Sequence, residues 1–300
     1  MKSVIFTLFF LFLLLGNVTR AWAWSNRGHA AIIALAERHL TPKVKAYINA
    51  RLGHDMIDDA TWMDPRRTNE WGFTADWHVI FFDEKGYYTP DPDIRRTSSS
   101  LYEEDRGDAL YAFNKAIYML SDDKQLSDSA FTANMRYLLH FLGDVHCPVH
   151  CLIPGRTAKF ASVFDGKEYM PAVSVLVPVK FGETEYKSYH AFIDKTPQLL
   201  FPGKNARQIA EALDTSSKRQ IKRTVIGKMS EVGGHLNCTP TLLIWAHDCA
   251  LQTQEMWKRQ KEIVYDLDAQ TTEQLRDIVE NEMRSCGYRL AWVLNSLFDR

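Results

Sequence analysis

Leu139-His140-Phe141-Leu142-Gly143-Asp144-Val145-His146-Cys147-Pro148-Val149-His150 is the stretch on which the reading of this chain turns. His140 and Asp144 are four positions apart, so on an α-helix they share one face. Leu138, Leu139, Phe141 and Leu142 around them are apolar, which puts the pair where polar groups need partners. Pro148 ends the helix and lets His150 turn toward a neighbouring point in space. A single His-x-x-x-Asp pair usually bridges on a helix surface. Here a third histidine closes the same turn, and a second pair of equal spacing, His190 and Asp194, recurs in Ser188-Tyr189-His190-Ala191-Phe192-Ile193-Asp194. Imidazole nitrogens and carboxylate oxygens are ordinary zinc ligands, and the two oxygens of Asp144 can bridge two ions. Metal binding accounts for all of these residues together.

Outward from this motif, helical signals dominate. Ser25 and Asn26 can cap a helix carrying Ala30, Ile33, Ala34 and Leu35 that ends near Thr41-Pro42. Thr41, with Pro42 at the first helical position, starts another that stops at Gly53. Apolar spacings of three and four recur over 109–120, 134–145, 207–213, 242–265 and 272–298, the last with Thr272 as a cap and Glu273 in its first turn. Over 172–181 the pattern changes to Val-rich alternation around Pro178, which predicts a strand or small β-hairpin insert. No repeat, low-complexity tract or long linker divides the chain. The expected fold is all-α, a single compact multi-helix domain with that hairpin inserted.

The first residues read differently. Lys2, the apolar run 4–15 and the small-residue stop Ala21-Trp22-Ala23 have the pattern of a secretory signal peptide. That run is too short to span a hydrocarbon layer of about 30 Å, and no later stretch approaches the required ~20 apolar residues, so an integral membrane protein is excluded. Cleavage after Ala23 divides the chain into a leader, 1–23, and a mature region, 24–300, that begins at Trp24 and is secreted or periplasmic. The full chain of 300 residues has 36 Lys+Arg and 37 Asp+Glu; loss of Lys2 and Arg20 leaves 34 basic residues and a formal charge of −3. A strongly basic nucleic-acid scaffold is thereby excluded, and capacity for phosphate must come from local groups or metal ions. Five cysteines in an exported chain predict one or two disulfides, with a bridge expected among Cys238, Cys249 and Cys286. Asn237-Cys238-Thr239 is a glycan acceptor if the host is eukaryotic.

Three further candidates are unremarkable alone. Asp64, in Thr61-Trp62-Met63-Asp64-Pro65-Arg66-Arg67, reads as a turn residue; His78, in Asp76-Trp77-His78-Val79-Ile80-Phe81, reads as a core histidine; His29 lies five residues after the expected new N-terminus. Taken together with Trp24-Ser25-Asn26-Arg27-Gly28-His29, the Leu139–His150 and His190–Asp194 motifs and the tail Gly287-Tyr288-Arg289-Leu290-Ala291, they resemble the zinc-dependent single-strand-specific nuclease and 3′-nucleotidase family, typified by mung bean nuclease and its fungal relatives. The resemblance runs from residue 24 to about 295.

Carried over by position, it implies three Zn2+ ions. One is held by Asp64, His78, His140 and Asp144; a second by the α-amino nitrogen and carbonyl oxygen of Trp24, by His29 and by Asp144 as bridge; the third by His150, His190 and Asp194, a set that leaves an open position. Because a free α-amine at Trp24 requires removal of the leader, export would double as activation. The implied reaction is attack on phosphorus by a hydroxide bridging two metals, which cleaves the 3′ O–P bond of single-stranded DNA, RNA or 3′-nucleotides and leaves 5′-phosphates. Arg67 occupies the place of an arginine that stabilises the transition state, and Asp64 is a candidate to orient the nucleophile. No stable protein partner is implied.

Some positions depart from the family pattern. Cys151-Leu152-Ile153-Pro154-Gly155-Arg156 replaces a Gly-rich, Asn-containing loop, 40 residues separate His150 from His190, and Val79 and Phe81 stand where base-contacting residues are usual. Exposed aromatic surface for unpaired bases must then come from tyrosines such as Tyr87, Tyr88, Tyr169, Tyr186 or Tyr189. Zinc-dependent bacterial phospholipase C resembles the same architecture; the Trp24–His29 interval and an Asp at position 194 favour the nuclease. A secreted domain stapled by zinc without catalysis is the remaining alternative, and it predicts closed four-ligand sites.

Overall fold

The helix that carries His29 lies at the centre of the molecule. In the computed structural model the described residues are 24–66, 72–83, 87–89, 107–154, 162–164, 167–170, 179–186, 189–259 and 269–300. The first helix, α1 (Asn26–Arg38), is apolar around most of its circumference, and Ala31 to Ala36 are all at most 2% exposed. A helix apolar on every side belongs in the interior, and burying Ile32, Ile33 and Leu35 stabilises by roughly 1.5–3 kcal/mol each. Around it pack α4 (Asp128–Asp144), α5 (Tyr189–Leu200), α6 (Ala206–Leu213) and the 30-residue α9 (Ala269–Phe298), while α2 (Pro42–Leu52) lies against α4 and α9. Beyond these lie α3 (Ala109–Ser121), paired with α4, then α7 (Lys218–Val225) and α8 (Thr239–Arg259). The architecture is all-α with small strand pairs.

Most boundaries follow local chemistry. Thr41 accepts the Val44 N–H and Pro42 opens α2, while Gly53 ends it at φ 71°, a left-handed conformation that glycine adopts without a Cβ penalty. Ser127 caps α4, which starts at Asp128, six residues before the expected start, and α9 begins at Ala269, so Thr272 lies inside it rather than at its cap. Ser25 stands at the N-cap of α1 without a side-chain bond; its backbone N–H reaches the Asp194 carbonyl instead, at 2.8 Å. Helix α8 reaches Arg259, and the expected continuation to 265 lies outside the described residues. Two helices have no counterpart in the apolar spacing: α5 contains Pro197, and α7 is Lys-Arg-Gln-Ile-Lys-Arg-Thr-Val, with too few apolar positions to register.

Strand structure is more extensive than the single expected insert. β5 (Val179–Phe181) and β6 (Thr184–Tyr186) form an antiparallel hairpin that begins at the end of 172–181; residues 171–178 lie outside the described set. A second hairpin joins β7 (Ser230–Val232) to β8 (His235–Asn237). A four-stranded sheet runs β1 (Ile80–Phe81), β2 (Cys151–Pro154), β4 (Lys167–Met170), β3 (Ser162–Phe164), and its β1–β2 pairing is parallel, with Ile80 opposite Cys151. That register matters for chemistry because it sets His78 beside His150. The expected bridge among Cys238, Cys249 and Cys286 is not formed: all five cysteines are buried free thiols. Cys286 Sγ–H donates to the Leu142 carbonyl, Cys238 lies against Thr241, and the neighbour of Cys249 is Cys151. Among the described residues no helix is long and apolar enough to cross a membrane. The leader, 1–23, lies outside them.

Candidate metal centre

Helix α4 supplies His140 and Asp144 from one face, as their spacing predicts, and both are 0% exposed. The chain then makes two tight turns: His146 N–H bonds to Gly143 O, Cys147 N–H to Asp144 O and His150 N–H to Cys147 O. His150 therefore arrives at the head of β2, where the Ile80 N–H takes its carbonyl at 2.9 Å and its own Nδ1–H donates to the His78 carbonyl. His78 ends a 3-10 helix, Gly72–His78. His140 Nδ1–H donates to the Ala60 carbonyl at 3.0 Å. Ala60 is steadied by its neighbour Asp59, which accepts from Arg136 of α4 and from His54, each at 2.7 Å.

These supports aim the remaining ring nitrogens at two carboxylates. Asp144 Oδ1 lies 3.4 Å from His29 Nε2, and its Oδ2 lies 2.9 Å from His78 Nδ1 and 3.4 Å from His140 Nε2. His140 Nε2 is also 3.6 Å from Asp64 Oδ1, and the His29 and His140 rings stack at 4.4 Å. Asp144 is thus flanked on both oxygens, the arrangement expected of a bridging ligand. Ligand atoms of His29, Asp64 and His140 converge within 4.8 Å of one another, as do those of His78, His140 and Asp144. His29 stands closer to Asp64 than the expected division of the ligands implies.

The second half of the centre is built by α5. His190 and Asp194 face each other at 3.4 Å, and the His190 ring lies 4.9 Å from that of His150. A third group is Cys147, His150 and Asp194, again within 4.8 Å of one another. Cys147 was missed because a cysteine in an exported chain reads first as a disulfide partner; the available signal was its place on the Asp144–His150 turn. Trp24 is fully buried, and its backbone N–H bonds to Cys147 Sγ. All sequence-predicted donors among the described residues are therefore brought together. Arg67 lies outside the described residues.

The donor set fits a cation. Both ring nitrogens of His29 and both oxygens of Asp64 are buried without hydrogen-bond partners, and each such atom costs about 1–3 kcal/mol when left unsatisfied. Burial, opposed by Asp64, lowers the His29 pKa to about 4, so the ring is neutral at pH 7 and in ligand form. Burial first, then Asp194, pushes the Cys147 thiol well above its ordinary range. His146 faces elsewhere: its Nδ1–H donates to Leu142 O, and its Nε2 accepts from Arg289 at 2.8 Å. That gives the Arg289 of the tail motif a role, because through His146 it ties α9 to the turn that carries His150, and through the Thr224 carbonyl it ties α9 to α7. Val79 and Phe81 are 8% and 3% exposed and offer no stacking platform, whereas Tyr87 is 69% exposed.

Comparison with known proteins agrees with this geometry. Residues 24–299 match the S1/P1 nuclease family. Nuclease P1 of Penicillium citrinum and nuclease PA3 of a Penicillium species are each 25% identical over 132 residues, covering 42% of this chain and 47% of theirs. The chain thus aligns with about half the length of these relatives. A match that spans nearly all of 24–300 and includes every donor of the buried His/Asp cluster assigns the chain to a family: it is a member of the S1/P1 nucleases.

Proposed function

We propose that the chain, exported and cleaved after Ala23, is a zinc-dependent phosphodiesterase that hydrolyses single-stranded DNA or RNA and 3′-nucleotides to 5′-phosphate products. The observation that carries this reading is the convergence of His29, Asp64, His78, His140, Asp144, His150 and Asp194 in one buried cluster. In this reading three zinc ions are held: by Asp64, His78, His140 and Asp144; by the Trp24 α-amine and carbonyl, His29 and Asp144; and by His150, His190 and Asp194. Zinc bound there supplies the positive charge that a mature chain of formal charge −3 lacks, and lowers the pKa of bound water toward neutral pH.

The protein's own groups do the positioning. The Ala60 and His78 carbonyls, by accepting Nδ1–H, keep Nε2 of His140 and His150 directed into the cleft. A second interaction that fixes the ring and its tautomer is the usual support of a ligating histidine. Asp64 accepts a hydrogen bond from the attacking water and sets its approach to phosphorus. Arg67, three residues on, binds the phosphoryl oxygens as charge accumulates in the transition state.

The test is an assay of the mature, zinc-loaded protein on single-stranded nucleic acid, 3′-AMP and phosphatidylcholine in parallel. Turnover of the first two, abolished by chelation and restored by zinc, is expected. Turnover of phosphatidylcholine alone would overturn the nuclease reading, and full zinc content without any turnover would point to a structural staple.

A further inference from the structure

Cys147 is the donor that neither the spacing of histidines and aspartates nor the family resemblance supplies. It is 0% exposed, and its Sγ lies within 4.8 Å of a His150 ring nitrogen and an Asp194 carboxylate oxygen that are themselves mutually within that distance. A buried cysteine often serves only as a small apolar side chain, and two others in this chain show what that looks like. Cys151 Sγ–H donates to the Val145 carbonyl and Cys286 Sγ–H to the Leu142 carbonyl; both sulfurs use their hydrogen on backbone oxygen. Cys147 Sγ instead faces metal-ligating atoms, a His150 ring nitrogen and an Asp194 oxygen, with the Val149 and Trp24 backbone N–H groups beside it, and cysteine sulfur is an ordinary zinc ligand.

We propose that Cys147 Sγ is a metal ligand, so that the ion held by His150 and Asp194 sits in a mixed sulfur, nitrogen and oxygen donor set. This rests on the metal-loaded reading above. On binding, the S–H bond breaks, a sulfur–metal bond forms and one proton leaves to solvent; no oxidant or reductant is needed. His190 Nε2, 3.4 Å from Asp194 Oδ2, brings the protein donors to four, and a catalytic zinc can still take a substrate oxygen by expanding to five ligands. The third position is then sulfur-anchored, and the sulfur selects zinc over oxygen-seeking magnesium or calcium.

Zinc-edge X-ray absorption on the mature, zinc-loaded protein tests this directly. A Zn–S shell at about 2.3 Å, about one sulfur per three zinc ions, is expected in the unaltered chain and in Cys249→Ala, and is lost in Cys147→Ala. Cobalt substitution gives a second readout: a sulfur-to-cobalt charge-transfer band present in the unaltered protein and absent from Cys147→Ser. An unaltered protein with full zinc and only nitrogen and oxygen scatterers overturns the proposal, whether or not the variants fold. A sulfur shell that survives Cys147→Ala in a folded variant overturns it as well. A metal count separates the two levels of the argument. Failure to take up zinc at all sinks both the enzyme reading and this one, while full zinc without sulfur sinks this one alone.

Discussion

The hydrogen bonds of two histidines decide which ring nitrogen is left for a cation. His140 and His150 each give Nδ1–H to a backbone carbonyl, of Ala60 and His78. Replacing His150 by Ala removes both a donor and the bond that ties the head of β2 to His78. His150→Ala should therefore keep its far-ultraviolet circular dichroism and lose at least about 100-fold in phosphodiester cleavage, more than the 10–100-fold typical of an outer-shell loss; undiminished turnover in the purified variant would refute the role. Arg67→Ala should lower kcat with little change in KM, as expected when a contact made only in the transition state is lost, and a change confined to KM would argue against it. Glu282 of α9 provides a pH signature. It is 2% exposed, and burial raises its pKa from 4.5 to about 7, although Arg289 and a 2.6 Å bond from Gln252 pull the other way. Between those values the native state holds a proton that the unfolded chain has lost. The stabilisation is complete below about pH 4.5, declines as pH rises and is gone above about 7, a span on the order of 3 kcal/mol. Urea unfolding of Glu282→Gln across that range should give a flatter profile than the parent; parallel profiles would show that the carboxyl does not titrate there. At this scale the His and Asp donors were legible because zinc chemistry favours imidazole and carboxylate, whereas Cys147 read first as a disulfide partner. The tautomers were not legible, because the deciding partners are carbonyls of Ala60 and His78, 80 and 72 residues away.

Between elements, close approach is what brings the donors together, and Gly143 controls one such approach. A Cβ there would lie 2.5 Å from His29 Nδ1, so α1 and α4 can hold His29 against Asp144 only with hydrogen at this position. In an isolated helix Gly→Ala is favourable by about 1 kcal/mol, whereas forcing a methyl into a packed site costs typically 1–3 kcal/mol. The clash wins, because His29 is buried and its ring already stacks on His140. Gly143→Ala should lower the melting temperature and cost about one zinc ion per chain by elemental analysis; full zinc with unchanged stability would show that His29 is free to move aside. Legibility differs by element for similar reasons. The apolar period announced α3, α6, α8 and α9 because each buries one stripe, and Thr41, Pro42 and Gly53 bracketed α2. Helix α5 was visible only through its His190–Asp194 pair, since Pro197 interrupts it, and α7 has only Ile221 and Val225 to mark a face. The parallel β1–β2 contact was invisible, because strands of two and four residues far apart in the chain leave no periodic trace.

On the scale of the whole chain, the donors span Trp24 to Asp194, and α9 closes over them through Arg289, His146 and the turn to His150. Near-neutral charge already required that any affinity for phosphate be local; what no count could reveal is that the residue after the expected cleavage point is walled into the same cluster. Trp24 is fully buried, its N–H meets Cys147 Sγ, and the next N–H, of Ser25, binds the Asp194 carbonyl at 2.8 Å. Its side chain is held as closely on the other side, for a Cβ at Gly28 would lie 2.9 Å from Trp24 Cβ. A nitrogen in that position is a metal ligand as a free amine and a hydrogen-bond donor as an amide, because amide resonance withdraws the lone pair. If the chain is cleaved after Ala23 as proposed, processing would change the donor count of the cluster. Protein beginning at Trp24 should bind about one zinc ion more than protein with one added residue before it, and should lose that ion more slowly to a chelator. The helical content of the two should be the same, because α1 begins beyond the junction at Asn26. Equal zinc content and equal release rates in the two proteins would remove Trp24 from the ligand set and leave His29 and Asp144 to hold the second ion without it.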